Sequence, residues 1–79
     1  MKRPICLIAK DIKKEWGSKV YFGAKPYLDA MEFLSSKTDK YGFDSAETIL
    51  LYFLSNAQTF RGDKAKLLKE EIKEILKES

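Results

Sequence analysis

The sequence predicts an all-α fold: a compact single-domain bundle of four short helices, with helix three central. Three observations carry this expectation. Apolar residues recur at intervals of three and four in two stretches: Ile5, Ile8, Ala9, Ile12 and Trp16, and Ala65, Leu68, Ile72 and Ile75. Isolated punctuators, Pro4, Gly17, Pro26, Gly42 and Gly62, divide the chain into pieces of helical length. A chain of 79 residues, 44% hydrophobic and 34% charged, suits one folded core and has no room for a second.

Helix one is expected at about 4–16. Pro4 fits a first turn, where its missing N–H would be unpaired anyway. Gly17 stops the helix, and the apolar stripe turns Lys10, Lys13 and Lys14 outward. Residues 18–25 read as an ordered loop around Val20-Tyr21-Phe22, because a lone strand finds no partner. Pro26 opens helix two, at about 26–36. Tyr27, Ala30, Met31 and Leu34 share one of its faces, with Asp29 and Glu32 on the opposite, solvated side.

A polar loop punctuated by Gly42 leads to Asp44, which reads as an N-cap with Glu47 completing a capping box. Helix three follows at about 45–60. Its run Ile49-Leu50-Leu51-Tyr52-Phe53-Leu54 is apolar all round, which predicts a helix wrapped by the others, with Leu50 and Leu54 fully buried. Arg61-Gly62-Asp63 supplies a stop and a new cap, so helix four, at about 64–78, should pack antiparallel to helix three. Its lysines Lys66, Lys69, Lys73 and Lys77 form one stripe and Glu70, Glu74 and Glu78 another.

Composition excludes much chemistry. Histidine is absent, and with it the commonest general base and metal ligand. The single cysteine, Cys6, forms no intrachain disulfide and reads as a small, partly buried hydrophobe. The glycines are isolated, so no phosphate-cradling loop appears. The pairs Asp29 with Glu32 and Glu70 with Glu74 lie on solvated helix faces and not in a dry cleft. The chain is therefore expected not to be an enzyme, and no metal, cofactor or small-molecule substrate is implied. The longest apolar run, Ile49–Leu54, is far short of the roughly 20 residues of a membrane span. Lys10 interrupts the signal-like start, so a cytoplasmic protein is expected.

Net charge is +3, with 15 basic and 12 acidic side chains, unevenly placed. Residues 1–25 carry seven basic side chains against Asp11 and Glu15, a local charge of +5. Lys10, Lys13 and Lys14 are the candidates for a basic face able to track a phosphate backbone. Only Arg3 and Arg61 are arginines, which weakens any case for base readout.

Ten aromatics are many for so small a domain. Trp16, Tyr27, Phe33, Tyr52, Phe53 and Phe60 sit at helical positions that serve a core. Tyr21, Phe22, Tyr41 and Phe43 lie in loops beside glycines, where they act as plugs for the core or as anchors for a protein partner.

Lys-Glu-Trp-Gly-Ser-Lys-Val-Tyr-Phe-Gly-Ala-Lys-Pro-Tyr-Leu-Asp-Ala-Met (14–31), Tyr-Gly-Phe-Asp (41–44) and Tyr-Phe-Leu-Ser-Asn-Ala-Gln-Thr-Phe-Arg-Gly-Asp (52–63) together resemble a family of small hypothetical bacteriophage and prophage proteins, chiefly of Gram-positive bacteria. The resemblance implies an intracellular, phage-related protein and assigns no activity or site residue. The function expected is non-catalytic binding: docking on another protein, or on a second copy, through the loop aromatics. The alternative is nucleic-acid binding through the basic face of helix one.

Overall fold

The structure is a computed structural model and describes residues 3–77. It is a mostly helical bundle of four helices with one very small hairpin. Helix α1 spans Ile5–Trp16 and runs into a single 3₁₀ turn, Gly17–Lys19. Helix α2 spans Lys25–Met31, strands β1 and β2 are Lys40–Tyr41 and Asp44–Ser45, α3 spans Ala46–Ser55 and α4 spans Asp63–Leu76. Helix α1 packs against both α2 and α4, and α3 against the same two helices.

The core is the one that the spacing predicts. Ile5, Ile8, Ala9, Ile12 and Trp16 line the inner face of α1. Leu28, Ala30 and Met31 come from α2, Ile49, Leu50 and Phe53 from α3, and Ala65, Leu68, Ile72 and Ile75 from α4. Trp16 stacks on Phe60 at 4.8 Å between ring centroids and meets Phe53 edge-on at 6.3 Å. No polar or charged residue is buried among those described, so the interior is held by apolar contact alone.

Helix α2 stops at Met31, well before position 36, and the reason lies in α1. The first N–H groups of a helix have no partner within it. Here Ile5 N–H donates to the Ser35 carbonyl at 3.0 Å, and Cys6 N–H to the Leu34 carbonyl at 2.8 Å. To present those carbonyls the chain tightens after Met31 into three-residue turns, with Phe33 N–H on Ala30 and Leu34 N–H on Met31. Leu34 swings inward and is fully buried, while Phe33 swings out.

The polar loop expected before helix three contains a hairpin. Lys40 pairs with Ser45 and Tyr41 with Asp44, antiparallel, around the two-residue turn Gly42-Phe43. Gly42 sits at φ 65°, a left-handed value at the first central position, as a II′ turn requires. The hairpin also moves the cap. Ser45, not Asp44, is the N-cap of α3, and its hydroxyl accepts the Thr48 N–H at 3.2 Å. Asp44 is instead a strand residue opposite Tyr41.

Helix α3 ends at Ser55, not near 60. The Ser55 hydroxyl donates to the Leu51 carbonyl, and the Asn56 amide to the Tyr52 carbonyl at 2.8 Å, so side chains compete with further helical turns. The link to α4 is thus longer than Arg61-Gly62-Asp63, and it buries Ala57 and Phe60. Gly62 caps α4, and Asp63 is the first residue of the helix. Helix α3 is not wrapped on all sides: Leu50 is fully buried, Leu54 only partly, and Leu51 and Tyr52 face out. Among the described residues, no helix is long and apolar enough to cross a membrane.

Candidate functional site

The loop aromatics do not plug the core. Phe22 is 79% exposed and Phe43 fully so, with Tyr21 and Tyr41 both close to half exposed. They also form two groups. Tyr21 packs against Phe22 at 4.9 Å and lines a shallow pocket with Ser55, Asn56, Gln58 and Thr59, at the C-terminal end of α3. Tyr41 and Phe43 belong to the hairpin that enters the N-terminal end of the same helix. Ten residues of helix separate the two ends, about 15 Å at 1.5 Å per residue.

The hairpin group has a member that sequence reasoning assigned to the core. Phe33, 73% exposed, packs against Tyr41 with ring centroids 5.6 Å apart. Tyr52, likewise expected inside, is half exposed and stacks on Tyr27 at 5.4 Å along the outer side of α2 and α3. Phe33 and Tyr41 form an exposed aromatic pair, and Phe43 stands fully exposed at the turn of the same hairpin, so the three make a surface on the segment after α2 and on the hairpin without Phe43 packing on the others. The turn geometry holds it in place. Asp39 accepts the Ser35 N–H at 2.6 Å and the Ser36 N–H at 3.1 Å, and its carbonyl accepts the Ala46 N–H at 2.8 Å. The two backbone donors hold the Asp39 carboxyl below its usual range.

The basic face of α1 is neutralised in part. Lys13 does not point to open solvent: its Nζ lies 2.6 Å from Asp29 Oδ1 and 2.6 Å from Glu32 Oε1, both on α2 or its end. Hydrogen bonds first to Asp29 and then to Glu32 raise the Lys13 pKa, and the same bond lowers that of Asp29. The pair Asp29 and Glu32 is therefore an acceptor for an inter-helix cation, not a solvated acidic face. Arg3 holds Glu71 of α4 through two hydrogen bonds, at 2.8 and 2.7 Å, and Asp11 through a third at 2.6 Å. Its guanidinium pKa is raised by Glu71 and Asp11, in that order. Lys10 is exposed, and Lys14 lines a cleft of about 300 Å³ between α1 and α4. That cleft also presents Asp11, Glu15 and Glu71, so its charge is mixed. Of the other basic residues of this end, Lys19 is exposed, Lys25 lies 4.0 Å from Asp29, and Lys2 lies outside the described residues.

Cys6 is partly buried, as expected of a small hydrophobe. Among the described residues no cluster of three or more His, Cys, Asp or Glu side chains is placed to hold a metal ion. The functional geometry of the described residues is thus one of surfaces: an aromatic one at the hairpin, a second aromatic pair at the far end of α3, and cations distributed over α1 and α4. Comparison with protein-family models, curated proteins and solved structures gave no match.

Proposed function

We propose that this chain is a non-catalytic accessory protein that acts by protein–protein binding, docking through the aromatic surface of Phe33, Tyr41 and Phe43. One observation carries the reading. Three aromatic rings stand exposed on a segment whose backbone is fixed by the hairpin and by Asp39, and a folded domain exposes such rings at a cost in solubility. Aromatic side chains on a preorganised turn are the usual anchors of an interface, because little conformational freedom is lost when they are covered. The partner is another protein or a second copy of the chain. A phage-type accessory role rests on the sequence resemblance alone.

The nucleic-acid alternative on the face of α1 has less behind it. Arg3 and Lys13 are each engaged with two carboxylates, which leaves Lys10 and Lys14 as its described cations. The discriminating experiment compares the parent with a Phe33→Ser, Phe43→Ser double variant, both at exposed positions. Sedimentation over a wide concentration range reads self-association, and a tagged pull-down from host cells reads a foreign partner. Docking at this surface predicts that the variant folds like the parent and loses the association. An association that survives both substitutions places the interface elsewhere, and a parent that binds nothing in either arm overturns the reading.

A further inference from the structure

The C-terminal helix carries a surface that the charge count of the sequence conceals. A groove of about 340 Å³ lies along the start of α4 and is lined by Arg61, Lys66, Lys69 and Lys73, with Glu70 as its one carboxylate and Phe60 at its base. Lys66, Lys69 and Lys73 stand at i, i+3 and i+7, so they project from one face over about 10 Å of helix axis. None of these four cations has a carboxylate within ion-pair distance among the described residues. The other glutamates nearby are committed elsewhere: Glu71 is held by Arg3, and Glu74 lies beside Lys77, which leaves Glu70, in the groove but at ion-pair distance from none of the four.

The fold also keeps these cations close. Lys69 lies over the Phe60 ring, its Nζ 5.8 Å from the centroid, and that ring is itself pressed onto Trp16. Its pKa is lowered by loss of water and then by Lys73 and Arg61. Four cations held together beside a single carboxylate are a cost that a bound anion reduces.

We propose that this groove binds the phosphate backbone of a nucleic-acid strand, by charge and not by sequence. A row of cations along a helix matches a ligand with charge at regular intervals, whereas a single small anion would use only part of it. Phe60 is buried beneath Lys69 and offers no face for a base to stack on, so contact is with the backbone. The groove has no exposed apolar side chain to insert into a bilayer, which sets it apart from an interfacial membrane helix. The surface is separate from the hairpin aromatics and stands whether or not those dock on a protein.

The test is fluorescence anisotropy of a short labelled oligonucleotide, single-stranded and duplex, titrated with the full chain at several salt concentrations. Three or four phosphate contacts predict a log–log salt slope of about −2 to −4. Lys66→Gln and Lys73→Gln should each weaken binding several-fold and reduce the slope by about 0.7–0.9, with Lys66→Arg retaining the parent affinity. The Lys10→Gln, Lys14→Gln double variant, on the face of α1, should bind like the parent. Circular dichroism checks that each variant is folded, and the arginine variant serves should a glutamine variant not be. A parent without salt-sensitive binding overturns the proposal. So do groove variants that bind like the parent, loss confined to the α1 variant, or polyglutamate competing as well as the oligonucleotide, which would mark an acidic-peptide surface.

Discussion

Arg3 and Lys13 each hold two carboxylates, at 2.6–2.8 Å, whereas Arg61, Lys66, Lys69 and Lys73 hold none among the described residues. Counted along the chain, the balance is the reverse: the first third is the basic end, and α4 alternates lysine with glutamate. What a surface offers a partner is the charge left after neighbouring helices have paired their own, and tertiary packing decides those pairs. Asp29 and Glu32 come from 16 and 19 residues away to meet Lys13, and Glu71 from 68 residues away to meet Arg3. On α4, Glu71 turns toward Arg3 and Glu74 lies beside Lys77, so the four cations of the groove share only Glu70.

The largest expected effect lies beneath both regions. Phe60 is the ring that Trp16 stacks on and Lys69 covers, so it joins the core of α1 to the floor of the groove. Phe60→Ala should destabilise by about 3–5 kcal/mol, read by urea denaturation, and free Lys69 from its support. A loss below about 1 kcal/mol would mean that the linker residue is not part of the core.

Removing Arg3 should come next. Arg3→Ala leaves Glu71 and Asp11 without their cation and unlinks α4 from the start of α1. The geometry is bidentate, but the groups are about a third to half exposed, so solvent reduces the effect to about 1–2 kcal/mol. Lys66→Ala, in the unpaired region, should stay within about 0.5 kcal/mol of the parent. Equal losses from the two substitutions would erase the difference between the regions.

Much of the fold was legible in the sequence. The three- and four-residue spacing names the inner faces of α1 and α4, and every residue that it selects there is buried. What failed depended on contacts between elements. Helix α2 ends early because Leu34 and Ser35 supply carbonyls to α1, and no local signal announces that need. Phe33 lies off the face shared by Tyr27, Ala30, Met31 and Leu34, closer to Asp29, and its apolar character alone placed it in the core. The hairpin has two residues in each strand, too few for an alternating pattern, so Asp44 resembled the cap that Ser45 provides. The exposure of Tyr21, Phe22, Tyr41 and Phe43 was foreseen as one of two outcomes. Their separation at the two ends of α3 was not, because it depends on where the hairpin lies. The α4 groove was hidden for the same reason as the Arg3 and Lys13 pairs: the count of charges is local and their neutralisation is not.

Acid offers a smaller test of the paired region. Lys13 lowers the Asp29 pKa, so the folded state holds the ionised carboxylate more tightly than the unfolded chain does. That stability is fully present above the unfolded value of about 3.9 and is lost as pH falls through the lower folded value. Asp29→Asn removes the titrating group. Its urea midpoint should therefore fall less between neutral and acid pH than that of the parent, by an amount equivalent to well under 1 kcal/mol, because both partners are substantially exposed. Identical acid slopes in parent and variant would show that the pair does not persist in solution.

The smallest effect has the opposite sign and belongs to the unpaired region. Lys69 and Lys73 are one helical turn apart, and like charges at that spacing cost a helix about 0.2–0.5 kcal/mol. Lys73→Gln removes the repulsion while keeping a long, helix-compatible side chain, so it should stabilise the protein by a few tenths of a kcal/mol at low salt. Substituting Lys13, which holds two carboxylates, should instead weaken the fold, so the sign separates Lys73 from Lys13. The gain should disappear as salt screens the parent's repulsion. It should also shrink at high pH. The lowered Lys69 pKa means that the folded state disfavours its proton, so the penalty is fully present below the folded value and fades as pH rises through it toward the unfolded value of about 10.4. Nitrogen-detected titration of the Lys69 ammonium in parent and variant checks the cause directly. Lys73→Gln should move its midpoint upward, and burial against Phe60 should keep it below that of an exposed lysine. A midpoint unchanged by the substitution would detach Lys69 from Lys73 and leave loss of water and Arg61 as the origin of its shift.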